Sequence, residues 1–238
     1  MITSNDCWMK DTCKKYQNIN KECECREKDV FCIKLFKLQQ LYDLSLITEK
    51  QRTRIPLYVD ADGTDLKAFQ RLSSIEGDVV KYFADSGNNL YIYSTNVGNG
   101  KTTWAIRLCQ AYLQNIWYKC DLDCKVLFVS VPKYLIAMKD NISEVNEYAQ
   151  HIKRYINSAD IVVFDDIATK SATSYEHEIL FNIIDTRIND GKANIFTSNL
   201  DYEGLVNTVG ERIASRIFNT AEKIRFDGQD KRPLGVTV

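Results

Sequence analysis

The sequence predicts an α/β protein in which helices cover both faces of a parallel sheet. From Asn89 onward, short apolar runs alternate with amphipathic helical patterns, an order typical of parallel strands joined by crossover helices. The runs are apolar almost throughout, as expected for strands buried on both sides. The predicted strands are residues 90–94, 125–131, 160–165 and 193–197, and the helices after them lie within 101–117, 132–157, 174–190 and 201–219.

The first predicted strand leads directly into a glycine-bearing turn and a helix, the order in which a loop can wrap a triphosphate. Backbone N–H groups of such a turn donate to phosphate oxygens. Lys101 would reach the β- and γ-phosphates of ATP, and the Thr102 hydroxyl would ligate Mg²⁺. The predicted nucleotide-binding residues are Asn96, Val97, Gly98, Asn99, Gly100, Lys101, Thr102 and Thr103.

This loop departs from the usual phosphate-loop pattern at one position, because Thr95 stands where the pattern has its first glycine. A threonine with positive φ is uncommon, so we expect a different backbone path at the loop entry. The donors from Gly98 to Thr103 are intact. The alternative interpretation is a chance Gly-Lys-Thr sequence in an ordinary turn.

Acidic and amide side chains follow two later strands and predict the second half of the site. We expect the strand that ends in Asp165 to lie beside the strand before the phosphate loop, so that Asp165 holds Mg²⁺ through water. Asp166 would polarise the attacking water. The Asn199 amide would reach the γ-phosphate or that water. The alternatives are two solvated carboxylates and an asparagine that only forms a turn.

Two arginines near the C-terminal end of the chain predict a contact with a neighbouring subunit. Arg212 and Arg216 are four residues apart and share one face of a helix. Arginine binds phosphate bidentately and stays charged, so the pair suits a polyphosphate held by another copy of the chain. The alternative is an ordinary salt-bridged face, with Glu211 and Glu222 nearby.

The N-terminal part is rich in cysteine, with five of the eight cysteines in the first 32 residues. In a reducing compartment a disulfide framework is not expected. Zn²⁺ takes four soft ligands and can order a segment too small to build its own core, so the pattern favours zinc. The alternative is a set of partly buried thiols. The candidate zinc ligands, four of five, are Cys7, Cys13, Cys23, Cys25 and Cys32.

Three segments follow from these patterns: a Cys-rich unit at 1–56, linker helices at 57–87 and the nucleotide-binding domain at 88–238. Residues 57–65 read as a linker. Helical spacing in the first two segments predicts helices that begin near Phe31, span Thr48 to Arg54, begin at Leu66 and span 78–86. Thr64 or Asp65 would cap the third of these, and Gly87 would stop the last.

Size and charge limit the classes of function that this chain can have. A chain of 238 residues allows one ample core and a small appendage, and a net charge of −1 provides no global attraction to nucleic acid. No apolar run approaches transmembrane length, and the N-terminus lacks the features of a signal peptide. We therefore expect a cytoplasmic protein without membrane contact.

Four motifs occur in a fixed order: Gly-Asn-Gly-Lys-Thr-Thr, Val-Val-Phe-Asp-Asp-Ile, Ile-Phe-Thr-Ser-Asn-Leu and Gly-Glu-Arg-Ile-Ala-Ser-Arg-Ile. Across residues 88 to 232 the chain resembles the AAA+ ATPases of the DnaC/DnaI helicase-loader group, of phage and Gram-positive type, with the IstB transposition ATPases as close kin. The resemblance implies an AAA+ core without the C-terminal helical lid, and a terminal strand over the segment from Phe226 to Arg232. It assigns Lys101 and Thr102 to Walker A, Asp165 and Asp166 to Walker B, Asn199 to sensor 1, Arg216 to an arginine finger acting in trans, Arg212 to the same interface and Arg232 to the nucleotide.

The resemblance also implies partners. The N-terminal unit would dock a hexameric replicative helicase of DnaB type, ATP would assemble the loader into an open spiral, and hydrolysis would release it. An extra helix within 132–157 would line a groove for single-stranded DNA, where basic groups and an aromatic ring suit a phosphate track. The candidate DNA contacts are Lys133, Tyr134, Lys139, Lys153 and Arg154. For any one lysine, the alternative is a solvated helix face.

Two other functions are compatible with the same motifs. One is an ATPase of transposition or of another DNA transaction, with the same core and a different client. The other is an adaptor or inhibitor that binds nucleotide without useful turnover.

Overall fold

The structure is a computed structural model that describes residues 7, 32–53, 56–60, 62–140, 145–168 and 173–231. Within these residues the strands are β1 (Asn89–Tyr93), β2 (Val126–Ser130), β3 (Ile161–Asp165), β4 (Ala193–Ser198) and β5 (Ala221–Arg225). They form one parallel sheet in the order β2-β3-β4-β1-β5. The edge where the strands end is called the carboxyl edge here, and the edge where they begin is called the amino edge. The predicted α/β class is confirmed.

Helices cover both faces of this sheet. They are α1 (Ile33–Ser45), α2 (Glu49–Arg52), α3 (Leu66–Gly77), α4 (Lys101–Ile116), α5 (Val131–Asp140), α6 (Glu147–Tyr155), α7 (Ser174–Asn189), α8 (Tyr202–Val209) and α9 (Glu211–Thr220). Successive strand side chains point to opposite faces, so each strand feeds two cores. In β3, Val163 packs into a cluster that includes α1, α3 and α4 and is called the first core cluster here. Val162 and Phe164 pack into the second core cluster, which includes α5 to α9.

Two predictions about the strands are wrong. The strand that ends in Asp165 does not lie beside the strand before the phosphate loop, because β4 pairs with both and separates them. The last strand of the described residues is Ala221–Arg225, and residues 226–231 after it form no strand. β5 is an edge strand with charged residues at three of its five positions, and such a strand carries no continuous apolar run that would predict it.

The helix boundaries also differ from the prediction in detail. The helix expected at 78–86 is a π-helical turn at Lys81–Asp85, followed by Gly87 at a φ of 61°. Asp65 occupies the N-cap position of α3, but its side chain makes no capping hydrogen bond to that helix. The helical region after residue 200 is divided into α8 and α9 by Gly210, whose φ of 82° suits glycine.

The helices of the predicted N-terminal unit pack on the sheet. Leu35, Leu38 and Leu41 of α1 are fully buried in the same cluster as β1 and α4. The division at residue 56 and the docking role of that unit stay predictions. Among the helices of the described residues, none has the length and apolar composition needed to cross a bilayer.

Candidate functional site

The loop between β1 and α4 has the backbone of a phosphate cradle. Gly98 and Gly100 have φ values of 72° and 96°, a region that glycine enters without steric cost. Thr95 is not among the described non-glycine residues with positive φ, so the loop accepts a threonine at its entry without strain. The loop entry at Thr95 therefore does not adopt the left-handed backbone conformation that would favour glycine there.

Lys101, the first residue of α4, is 6% exposed and reaches back over the loop. Its Nζ donates to the Asn96 carbonyl oxygen and to Asn99 Oδ1, both at 3.0 Å. The Asn99 amide in turn donates to Ser94 Oγ at 2.5 Å, and Ser94 is fully buried. Ser94 was not predicted; a hydroxyl at the end of the strand before the loop is the signal that could have indicated it.

Asp165 lies opposite this loop at the end of β3 and is 8% exposed. Its Oδ1 accepts from the hydroxyls of Thr102 and Thr197, each at 2.8 Å. Burial raises the pKa of this carboxyl, and the two hydroxyls and Lys101 oppose that rise. The two residues predicted to hold Mg²⁺, Thr102 and Asp165, are therefore in direct contact, although their strands are not neighbours.

Asp166 and Asn199 complete the site. Asp166 has a φ of 55° and donates its backbone N–H to Thr197 Oγ1 at 2.9 Å. Together with the residues from Val97 to Thr103, Asp166 and Asn199 line a cavity of about 290 Å³. The sequence thus predicted both side chains correctly as neighbours of the loop. It did not predict Thr197, whose hydroxyl touches both acidic residues.

The residues present fit a nucleotide tail and a metal. The cavity offers main-chain N–H groups at the start of a 16-residue helix, a buried ammonium group and a carboxylate, which together suit phosphate oxygens and Mg²⁺. Lys101, Thr102 and the loop backbone would hold the phosphates. Thr102 and Asp165 would hold the metal ion, which would offset the phosphate charge during hydrolysis.

The segment after β5 crosses the outer side of the loop. The Gly98 carbonyl accepts from the Lys231 N–H at 2.9 Å, and a Cβ at Gly98 would collide with the Asp230 carboxylate. The Asn96 amide donates to the carbonyls of Asp227 and Gly228 at 3.0 and 3.2 Å. Asn96 is therefore a contact of this crossing segment. Arg232, predicted to face the nucleotide, lies outside the described residues.

The crossing segment also binds the predicted linker. The Asp65 carboxylate accepts from the N–H groups of Asp227 and Gly228, at 2.6 Å and 3.1 Å for the shortest contacts. Lys231 Nζ donates to the Tyr58 carbonyl at 2.9 Å and lies 3.6 Å from Asp60. Tyr58, Asp60 and Asp65 are thus tied through this segment to the phosphate loop.

Both predicted interfacial arginines are exposed on α9 and face α7. Arg216 Nε lies 2.9 Å from Asp185 Oδ1. The Arg212 guanidinium lies 4.1 Å above the centre of the Phe181 ring and lines a groove of about 610 Å³ together with His177 and Glu178. The arginines lie apart from the 290 Å³ cavity of their own chain, which is compatible with a contact in trans.

The structure places some of the predicted DNA contacts on the surface and one of them in the core. Tyr134 is 3% exposed in the second core cluster, so its proposed role as a stacking surface is wrong. Tyr134 lies on the face of α5 that packs against the sheet. Lys133 lies 4.4 Å above the Tyr148 ring, and Lys139 pairs with Glu176 at 3.0 Å. The remaining candidates, Lys153 and Arg154, are exposed in the last turn of α6.

The zinc prediction lies mostly outside the described residues, which do not include Cys13, Cys23 and Cys25. Cys7 and Cys32 are partly buried against the first core cluster. Among the described residues, no group of three or more His, Cys, Asp or Glu side chains is placed to hold a metal ion. Zinc binding stays a prediction.

Comparison with known proteins agrees with this fold. A family model described as the bacterial DnaA ATPase domain matches residues 70–221. The replicative helicase loader DnaC of Escherichia coli K12 is 23% identical over 151 residues, which are 63% of this chain and 55% of that protein. The chain thus spans about half the length of this relative.

Solved structures share the fold. The crystal structure of DnaI superposes with a TM-score of 0.59 at 17% identity, covering 81% of this chain and all of that one. The replication initiator DnaA bound to AMPPCP and single-stranded DNA gives 0.55 at 18% identity, covering 78% of this chain and 52% of that one. Because the family model covers more than half of the residues, this chain belongs to the family of bacterial DnaA ATPase domains, and its resemblance to the DnaC and DnaI loaders is confirmed.

Proposed function

We propose that this chain is an Mg²⁺-dependent ATPase that loads a hexameric replicative helicase of DnaB type onto single-stranded DNA. The observation that carries the proposal is the contact between Thr102 and Asp165 beside the buried Lys101 ammonium. Lys101 and Thr102 line the cavity of about 290 Å³, and Asp165 contacts Thr102, in a fold shared with DnaC and DnaI. The reaction converts ATP and water to ADP and phosphate. Binding assembles the loader and hydrolysis releases it.

Each residue at the carboxyl edge has one role in this proposal. Lys101 neutralises charge on the β- and γ-phosphates, and Asp165 holds Mg²⁺ with Thr102. Asp166 polarises the attacking water, and the Asn199 amide orients it or the γ-phosphate. Full-length protein should hydrolyse ATP, and Lys101→Ala should abolish this turnover. A chain that binds its client normally without any turnover would instead be an adaptor, and the ATPase proposal would be rejected.

Arg216 supplies the arginine finger to the site of a neighbouring copy. Its ion pair with Asp185 is partly exposed, and exposed pairs contribute about 0–1 kcal/mol, so releasing the guanidinium costs little. Arg216→Ala should lower assembled turnover by roughly 10³-fold, the usual effect of such a finger, and leave nucleotide affinity unchanged. Asp185→Asn is the matched control, because it removes the same ion pair but keeps the arginine. Normal turnover by assembled Arg216→Ala would contradict this role.

Single-stranded DNA would bind along α5 and α6. Support comes from Lys133, Lys153 and Arg154, which are exposed there, whereas Lys139 is engaged with Glu176. Neutralising all four cations should weaken DNA binding and flatten its dependence on salt, because fewer counterions are released. The Tyr134→Phe variant should bind DNA normally, since its ring is buried.

The helicase would dock on the N-terminal unit, residues 1–56, which we propose to bind one zinc ion through four of its five cysteines. Full-length protein used as bait should capture a DnaB-type helicase in the presence of ATP and Mg²⁺. Capture of a transposase in its place would favour the transposition ATPase. Four ligands hold one zinc ion, so metal analysis of freshly purified, unchelated protein should find about one zinc per chain. A metal-free result would exclude the zinc site.

A further inference from the structure

Thr197 occupies a position between the two acidic residues of the site. It is fully buried in β4, the strand that lies between β1 and β3. Its hydroxyl donates to Asp165 Oδ1 at 2.8 Å and accepts from the Asp166 N–H at 2.9 Å. One hydroxyl therefore joins the residue assigned to the metal and the backbone of the residue assigned to the water.

The backbone that Thr197 holds is unusual. Asp166 has a φ of 55°, which non-glycine residues rarely adopt unless their surroundings determine it. The Thr197 carbonyl also accepts from the Ile167 N–H at 3.0 Å, so the hydroxyl and the carbonyl of this threonine both hold the turn that begins at Asp166. The direction of the Asp166 carboxylate depends on this turn.

We propose that Thr197 is a positioning residue for ATP hydrolysis, an inference that rests on the proposed ATPase function. Its hydroxyl fixes Asp165 against Thr102 and fixes Asp166 toward the cavity. The Asp166 N–H is partly buried, and leaving such a donor without an acceptor is unfavourable, so the turn would shift until this N–H is paired again. Without the hydroxyl, Asp166 would leave the attacking geometry, while Lys101 and the loop backbone would still hold the phosphates. The hydroxyl should therefore affect the rate of hydrolysis more than nucleotide binding.

Ser198, the next residue, provides a matched control. It is 1% exposed, and its hydroxyl donates to the Ile167 carbonyl at 3.0 Å. It thus ties β4 to the same turn without touching either acid. If only the stability of the turn mattered for hydrolysis, Ser198→Ala and Thr197→Val would lower kcat by similar amounts.

The test compares full-length wild type with Thr197→Val, Thr197→Ser, Thr197→Cys and Ser198→Ala. The measurements are affinity for Mg²⁺–AMPPCP, kcat and KM for ATP, and melting temperature. Thr197→Val keeps the shape of the side chain and removes both hydrogen bonds of its hydroxyl. Its kcat should fall on the order of 10²-fold, as expected when a general base is misplaced, while its affinity for Mg²⁺–AMPPCP should stay within about threefold of wild type. Thr197→Ser and Ser198→Ala should stay within about threefold of wild-type kcat.

Thr197→Cys covers the case in which the valine variant does not fold. Cysteine has the shape of serine but is a weak donor and acceptor, so its kcat should lie well below that of Thr197→Ser. Wild-type kcat in Thr197→Val, or equal kcat in the Ser and Cys variants, would overturn the inference. The same holds if kcat falls as far in Ser198→Ala as in Thr197→Val. If wild type itself neither binds nor hydrolyses ATP, the proposed function fails first.

Discussion

The amino edge and the carboxyl edge of the sheet both bury a charged side chain, but they satisfy it in different ways. At the amino edge, Arg187 is fully buried and donates to the carbonyls of Ile156, Ala159 and Ala193 and to Asn194 Oδ1, at 2.5 to 3.1 Å. At the carboxyl edge, Asp165 is held by two hydroxyl groups.

The difference separates a structural charge from a functional one. Three of the four acceptors of Arg187 are main-chain oxygens, at the end of α6, in the loop before β3 and at the start of β4, and they cannot move without disrupting these elements. Burial lowers the pKa of this guanidinium to about 9, so it remains charged at neutral pH. Burial raises the pKa of Asp165, and one of its two donors, the Thr102 hydroxyl, can turn toward a metal ion. A buried side chain such as Asp165, whose charged form is disfavoured by its surroundings, is typical of a functional site.

The largest effect on stability is expected at the amino edge. Arg187→Met keeps much of the side-chain volume but leaves four buried acceptors without their donor. The free energy of unfolding should fall by about 3 kcal/mol or more. Denaturant unfolding followed by circular dichroism measures this loss.

Lys192→Met is the control for Arg187 at the same edge. Its ammonium lies 3.8 Å from Asp160, a pair that is about one-third exposed, so the change should be below about 1 kcal/mol. Equal stability of Arg187→Met and wild type would show that the arginine network is dispensable and would remove this half of the comparison.

Asp165→Asn should have the opposite effect at the carboxyl edge. A raised pKa means that ionisation of Asp165 opposes folding at neutral pH, and asparagine removes that charge while its oxygen still accepts from Thr102 and Thr197. Unfolding free energy should stay level or rise by about 0.5–2 kcal/mol. ATP turnover should be lost, because an amide cannot replace the carboxylate at Mg²⁺.

Thermal melts and turnover assays on the same Asp165→Asn preparation test both parts of this prediction. A large loss of stability would place Asp165 with Arg187 as a structural charge. Retained Mg²⁺-dependent turnover would remove its metal role.

The smallest effect is expected at Glu176, at the start of α7. The Thr173 N–H donates to its carboxylate at 2.7 Å, and this bond first, then the Thr173 hydroxyl and Lys139, lowers the pKa of Glu176 to about 2 from 4.5. Glu176→Gln should cost about 0.3–1 kcal/mol at pH 7, less than the whole pKa shift corresponds to, because the glutamine oxygen can still accept from the Thr173 N–H and only the charge is lost. Because the folded pKa is depressed, the difference from wild type should be full above pH 4.5 and disappear as the pH falls toward 2.

Unfolding measured from pH 7 to pH 2 checks this pH dependence, with the exposed Glu178→Gln on the same helix as control. A stability difference that grows as the pH falls would contradict the capping interaction between Thr173 and Glu176.

The sequence predicted the parts of the fold and site that depend on local patterns. The phosphate loop, Asp165, Asp166 and Asn199 each lie at the end of an apolar strand or directly after it, so their meeting at one edge required only that the strands be parallel. The contacts of Thr197 depend on β4 lying between β1 and β3, and strand order is a tertiary property that no local pattern carries.

Other misses have similar causes. The burial of Tyr134 depends on which face of α5 meets the sheet, and a tyrosine among lysines gives no indication of that face. The contacts of Asp65 with Asp227 and Gly228 join segments about 160 residues apart in the sequence. Asp65 was expected to cap a helix because its position is correct for that role, but a nearby pair of backbone N–H groups uses its carboxylate instead.

Calorimetric titration of full-length protein with AMPPCP tests the central claim most directly. With Mg²⁺ present, we expect one saturable site per chain, and affinity that falls on the order of 100-fold in Lys101→Ala, since hydrogen bonds to charged groups contribute about 1.5–3 kcal/mol. No heat of binding by the folded wild type, or equal affinity of wild type and Lys101→Ala, would contradict the assignment of the carboxyl edge as a nucleotide site.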